Sequence, residues 1–253
     1  MSSYIVDKKE EQPEQPQTLQ KEEKQGVNNI LPQRNQYVKM SFMITYILLL
    51  TTATITFIEA MRTKDPVIRH IFNLETCISI VAGYFYSLFV SKIDEADKNN
   101  TPLNWNEITE FRYIDWSITT PMMLLALSVV LGYNAKVSVN MVFMMTVLIL
   151  NYFMLVVGYL GEINIISRLQ GFIVGFIAFF AMFFVIFMKF LNSKFNLFNY
   201  VLYGIYFVVW SIYGIAYMFS EEYKNIVMNI LDCIAKCLIG IFLWVYYTGI
   251  VTK

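Results

Sequence analysis

Seven runs of roughly 20 apolar residues dominate the chain, near 40–61, 71–91, 110–132, 137–159, 170–191, 199–219 and 225–248. Each is bounded by polar turns such as "TKDP", "GYNAK" and "SEEYKN". In lipid every backbone N–H and C=O must find a partner within the protein, which leaves helices and closed barrels, and runs of this length fit helices. The expectation is an all-α, multi-pass integral membrane protein, a bundle of seven transmembrane helices. Hydrophobic residues make up 57% of the chain and the formal charges cancel. A balanced charge gives nucleic acid no electrostatic footprint to bind, so no such partner is expected. Cys77, Cys233 and Cys237 all lie inside apolar runs, which excludes a disulfide framework in the loops and reads as small buried hydrophobes.

The first stretch, "MSSYIVDKKEEQPEQPQTLQKEEKQG", is rich in Glu, Gln, Lys and Pro and holds too little apolar surface to offset its ordering entropy. Residues 1–37 are therefore predicted to be a disordered polar tail, and 38–253 the membrane domain. Short loops set the orientation. Arg62, Lys64, Arg69, Lys136, Lys189, Lys194 and Lys253 fall on one side, with Asp65 their only acid; Asp94, Glu95, Asp97, Glu107, Glu162, Glu221 and Glu222 fall on the other. The positive-inside rule then puts the N-terminus outside and the C-terminus in the cytoplasm.

Two spans carry charges that cost several kcal/mol to place at bilayer depth, about 2.5 to 3.5 each. In the seventh, Asn225, Asn229, Asp232 and Lys236 are spaced by four, three and four residues, which puts them on one narrow helical stripe. The stripe continues as Gly240, Leu243 and Tyr247, so the outer half reads as wet and the inner half as dry. In the third, Arg112, Asp115 and Thr119 share a face, with Thr120 beside it and Pro121 bending the helix; threonine hydroxyls are expected to help satisfy the carbonyl that Pro121 frees. Asp232 and Lys236 as a simple intrahelical ion pair would be the plain structural account, but a buried pair is often no more stable than an apolar replacement. A lysine in an apolar pocket is a good Schiff-base former, and the acids would be its counter-ions.

"RYIDWSITTP" in the third span and "LDCIAK" in the seventh resemble the microbial (type 1) rhodopsins, seven-helix retinal proteins, and "WSIYGIAY" in the sixth is similar to their retinal-box segment. "LNYFMLVVG" at 150–158 is similar to the fourth-helix segment that flanks the retinal ring. The resemblance covers residues from about 38 to 250 and points to a channelrhodopsin-like or viral-type member. It implies that Lys236 binds all-trans retinal as a Schiff base, with Asp115 as proton acceptor and counter-ion, Asp232 as second counter-ion and Arg112 as a gate toward the outside. Trp116 and Trp210 would sandwich the polyene, with Thr119, Thr120, Met123, Met154, Gly158, Tyr213, Tyr217 and Tyr86 completing the site. Retinal would isomerise and the imine proton would move to Asp115, a photochemical event and not enzymatic turnover. Lipid is the expected surround, and relatives imply a homo-oligomer.

Four departures bear on what the light does, one of them Tyr217 in place of a tryptophan. Ala126 stands where proton pumps of the bacteriorhodopsin type place a carboxylic acid, roughly 16 Å along the helix from Asp115. Gly214 replaces a proline, and Asn151 stands where an acid often pairs with the threonine matching Thr120. The favoured expectation is a light-gated cation channel, its path lined by Glu59, Glu75, Asn225 and Asn229 together with Thr51, Thr52, Thr54 and Thr56, since acids on pore walls select cations. The alternative is an outward proton pump releasing through Glu221 or Glu222 and reprotonated from Glu75 or from water. A photosensor and a non-retinal transporter follow at lower rank. Glu59 and Glu75 are expected near the cytoplasmic helix ends, with snorkelling to water as their plain role.

Overall fold

The computed structural model describes residues 17–192 and 195–249, with side chains from residue 36 onward. Its elements are α1 (Gln17–Arg62), α2 (Pro66–Asn99), α3 (Trp105–Ala135), α4 (Met141–Glu162), α5 (Arg168–Phe190) and α6 (Leu197–Ala216), then α7 (Glu221–Asp232), a π-helical stretch (Cys233–Leu238) and α8 (Ile239–Thr248). The last three run on as one span, so among the described residues seven helical segments are long and apolar enough to cross a membrane. Residues from Val38 on form one compact unit.

Local chemistry sets the ends. Asp65, Asn104, Asn140, Ser167 and Asn196 each accept a backbone N–H at the first turn of α2 to α6, with Pro66 opening α2 and Gln170 completing a capping box on α5, the side chains that satisfy orphan donors there. Asp65 also accepts from Tyr133 Oη at 2.8 Å. That hydroxyl, together with the α2 backbone N–H groups, holds the carboxyl below its usual range.

Helix α1 begins at Gln17, within the stretch read as a polar tail, and its residues from Val38 on belong to the compact unit of the membrane domain. Residues 1–16 of that tail lie outside the described residues, as do Lys194 and Lys253 of the basic set. Helix α2 runs to Asn99, eight residues past its apolar run. Lys92 bridges Glu95 and Glu107 on that overhang, and Lys39 pairs with Asp94. Hydropathy marks where lipid begins, not where a helix stops.

Pro121 lies inside α3. The carbonyl it leaves free, that of Ser117, accepts from Tyr152 Oη of α4 at 3.1 Å. The two threonines instead donate to the carbonyls of Asp115 (Thr119, 2.9 Å) and Trp116 (Thr120, 2.7 Å). The expectation that they satisfy the proline turn is therefore corrected: a hydroxyl bonds to the carbonyl one turn behind itself, and that carbonyl is not the one proline frees.

Candidate functional site

The charged residues of α3 and of the seventh span meet in the middle of the bundle. Lys236, Arg112, Asp115 and Asp232 are at most 3% exposed. Lys236 Nζ is 2.9 Å from Asp115 Oδ2 and 3.4 Å from Asp232 Oδ1. Arg112 Nη1 is 3.7 Å from Asp232 Oδ2. Two acids against two bases leave the cluster neutral, the condition under which such charges are tolerated at depth. Lys236 lies within the π-helical stretch, a widened turn of the kind that concentrates at functional sites.

The two carboxylates differ in their surroundings. Asp232 accepts from Tyr86 Oη at 2.6 Å and from Tyr213 Oη. Asp115 Oδ1 has no hydrogen-bond partner among the described residues. Arg112 Nη2 donates to Asn225 Oδ1 and Asn229 Oδ1, both at 2.9 Å, and the guanidinium lies 5.5 Å from the Phe42 ring and 5.2 Å from the Phe89 ring. Asn229 Nδ2 reaches Ser41 Oγ at 2.9 Å, and Asn225 Nδ2 donates to the Glu221 carbonyl. The polar stripe read from the sequence is thus joined by hydrogen bonds from Glu221 through Asn225, Arg112, Asn229 and Tyr86 to Asp232, and by an ion pair from Asp232 to Lys236.

Lys236 also reaches a cavity, whose wall includes Trp116, Thr120, Met123, Met154, Gly158, Trp210, Tyr213 and Tyr217. Tyr86 and Thr119 do not line it. Tyr86 holds Asp232, and the Thr119 hydroxyl donates to the Asp115 carbonyl. Helix spacing put both on the right face, but hydroxyl partners decide which neighbour they serve. Sequence reasoning missed Tyr113, Met228 and the α5 wall of Gly171, Phe172, Gly175, Phe176 and Phe179. Helix α5 is apolar all round and carries no signal that separates cavity from lipid. The Phe176 ring fills the space beside Gly214, 2.5 Å from where a Cβ would be.

The contact between Thr120 and Asn151 forms, Asn151 Nδ2 donating to Thr120 Oγ1 at 2.8 Å. Ala126 is fully buried, so that level of α3 holds no carboxyl. Glu75 departs most from expectation. It is 1% exposed with Oε1 unpartnered, and Oε2 is 3.4 Å from where a Cβ on Gly240 would lie. The snorkelling role is corrected, because α8 packs over this carboxyl. Glu59 is the half-buried one, accepting from Trp244 Nε1 at 3.3 Å. Thr52 and Thr56 are buried, while Thr51 and Thr54 face outward and bond their own helix. Thr56 Oγ1 is 2.9 Å from Thr76 Oγ1. The half of the bundle around Gly240 is therefore not uniformly apolar.

A second charged cluster joins α4, α5 and α7. Lys224, 2% exposed, binds Glu162 at 2.9 Å and Glu221 at 2.8 Å; Arg168 binds the same two acids at 3.0 and 2.9 Å. Glu222 next to it is half-buried.

The residues fit a retinal. A buried primary amine opens into a largely carbon-walled cavity beside one carboxylate oxygen with nothing bound to it. The comparisons agree. The family described as bacteriorhodopsin-like protein matches residues 36–250. The chain is similar to the viral rhodopsin OLPVRII, with a TM-score of 0.78 and 41% identity over 85% of this chain and 99% of that one. A blue light-absorbing proteorhodopsin from Med12 has the same fold, with a TM-score of 0.66 at 23% identity over 86% and 99% of the two chains. The green-light absorbing proteorhodopsin of Gamma-proteobacterium EBAC31A08 is 25% identical over 151 residues, 54% of this chain. The match spans about 60% of the length of that curated relative. Seven apolar helices make the chain a multi-pass integral membrane protein, and retinal, bound through a lysine as a Schiff base, is the cofactor of its family. The chain belongs to the bacteriorhodopsin-like family and is a microbial (type 1) rhodopsin.

Proposed function

We propose that the protein is a light-gated cation channel whose path follows the seam between α1, α2 and the seventh span. The single observation that carries this reading is a group of buried polar atoms without partners, Thr52 Oγ1, Glu75 Oε1 and Ser79 Oγ. Buried polar groups left unpaired by protein take water. On the other side of Lys236 the seam continues through Thr45, Asn229 and Ser41, with Thr45 Oγ1 at 3.3 Å from the Asn229 carbonyl. Polar groups therefore flank the lysine in both directions along the same helices. In this reading the N-terminus is outside, Asn225, Asn229, Glu221 and Glu222 stand on the outer path, and Glu75 and Glu59 on the inner one.

Lys236 is the lysine that carries retinal, and retinal bound there supplies light absorption and a light-driven change of shape. Asp115 is the primary counter-ion and takes the proton from Lys236 Nζ, since its Oδ2 is 2.9 Å away and its Oδ1 is open. Asp232 is the second counter-ion; its oxygens are taken by two phenol hydroxyls. Arg112 is the gate. Once Asp115 is neutral, the guanidinium faces a different balance of charge and its hold on Asn225 and Asn229 changes, a local electrostatic event with a wider readout. Trp116, Trp210, Met123, Met154, Gly158, Tyr213 and Tyr217 bind the chromophore and exclude water.

A second reading, an outward proton pump, is favoured by one observation: Glu75 is a buried carboxyl beside Gly240, the residue four past Lys236, able to stand in for the acid missing at Ala126. Voltage clamp with retinal separates the two. A channel's photocurrent reverses with the cation gradient; a current of fixed direction that ignores external cations would remove the channel.

A further inference from the structure

Tyr113 is a cavity-wall residue to which the proposed function gives no task. Its ring packs between Trp116 and Tyr159, each at 5.2 Å between centroids. Its Oη makes no hydrogen bond to another described residue and lies 2.9 Å from where a Cβ on Gly158, also on the cavity wall, would be. From the other side, Tyr217 Oη donates to the Gly158 carbonyl at 3.1 Å. A Cβ on Gly171 would come within 2.8 Å of that same hydroxyl, and one on Gly161 would overlap it. Glycines at these positions admit two phenol oxygens to a wall otherwise made of carbon, including Phe172, Phe176 and Met154. The glycines and carbon groups of this wall belong to α4 and α5, not to the seventh span that carries Lys236, and its two phenols come from α3 (Tyr113) and the end of α6 (Tyr217). A phenol facing hydrocarbon without a partner is disfavoured.

We propose that this end of the cavity is built for a ring-oxygenated retinal, one bearing a hydroxyl or keto oxygen on its cyclohexene ring, with Tyr113 Oη as the group that bonds it. The inference rests on the reading that retinal fills the cavity from Lys236. A ring oxygen would give Tyr113 the partner it lacks, whereas an unsubstituted ring would leave it facing carbon. Tyr217 is already engaged with Gly158, so it positions the wall and Tyr113 does the selecting.

The test is a competition. Protein produced without retinal is given an equimolar mixture of all-trans retinal and all-trans 3-hydroxyretinal, which condense with the amine with loss of one water, and the bound chromophores are extracted and weighed against each other. The wild type should be enriched in the oxygenated aldehyde by about 2- to 10-fold, the effect of one hydrogen bond. Tyr113→Phe, which keeps the ring contacts, should return the ratio to that supplied. Equal incorporation by the wild type, or an unchanged ratio in Tyr113→Phe, would overturn the proposal. Colour from plain retinal shows that the variant folds. If Tyr113→Phe forms no pigment, enrichment is compared instead between the wild type and Tyr217→Phe, whose loosened wall should lower it; undiminished enrichment there counts against the proposal. Absence of colour with either aldehyde in the wild type defeats the retinal reading itself.

Discussion

Replacing Glu75 by Gln keeps the volume of the side chain and removes its proton, which makes it the substitution that separates conduction from pumping. Gly240 follows Lys236 by four residues, about one helical turn, and Glu75 Oε2 is 3.4 Å from the point where a Cβ on Gly240 would lie. If Glu75 returns the proton, its loss removes a positioned general acid, worth about 10²- to 10⁴-fold, and the dark colour should recover at least 100-fold more slowly. If the seam conducts, recovery should stay within about threefold of the wild type while the photocurrent falls or its reversal potential moves, because the wall loses its acid. Flash photolysis and voltage clamp on the same variant read both quantities, with Thr52→Val as a second change to the seam. Unchanged recovery and unchanged current in both variants would refute the claim that this seam takes part at all.

Three further outcomes are expected. Asp115→Asn should shift the absorbance of the retinal-loaded protein to longer wavelength and abolish the deprotonated intermediate state of the photocycle; an unchanged spectrum would contradict its counter-ion role. Glu162→Ala leaves the buried Lys224 with Glu221 alone, and should cost about 3 kcal/mol, the low end for breaking a buried pair, read as a lowered melting temperature in detergent. Asp65 has its pKa depressed, first by Tyr133 and then by backbone N–H groups, so its contribution is present in full above about pH 4 and fades as pH falls through the folded-state value. The melting temperatures of wild type and Asp65→Asn should therefore converge below about pH 4, as a thermal scan across pH would show.

The charge cluster was legible because its members carry their own signal: Asn225, Asn229, Asp232 and Lys236 repeat at helical spacing in an apolar span, and Arg112 and Asp115 lie one turn apart. What periodicity does not contain is the partner on another helix. Tyr86 and Asp232 are 146 residues apart, and only the packing of α2 against the seventh span reveals that this tyrosine holds the carboxylate. Glu75 was misplaced for a related reason. Its distance from a loop was readable, but the cover given by α8 at Gly240 depends on a close approach that a lone glycine does not announce. The α5 wall gave no signal because cavity and lipid are equally apolar to a sequence. The tyrosine that satisfies the turn at Pro121 comes from α4, so no spacing within α3 pointed to it.

The central claim is that the amine of Lys236, held between Asp115 and Asp232, carries the chromophore. Purified protein given all-trans retinal should gain a visible absorption band, and Lys236→Ala prepared in the same way should gain none. A wild type that stays colourless, or a Lys236→Ala protein with the same band, would contradict the account.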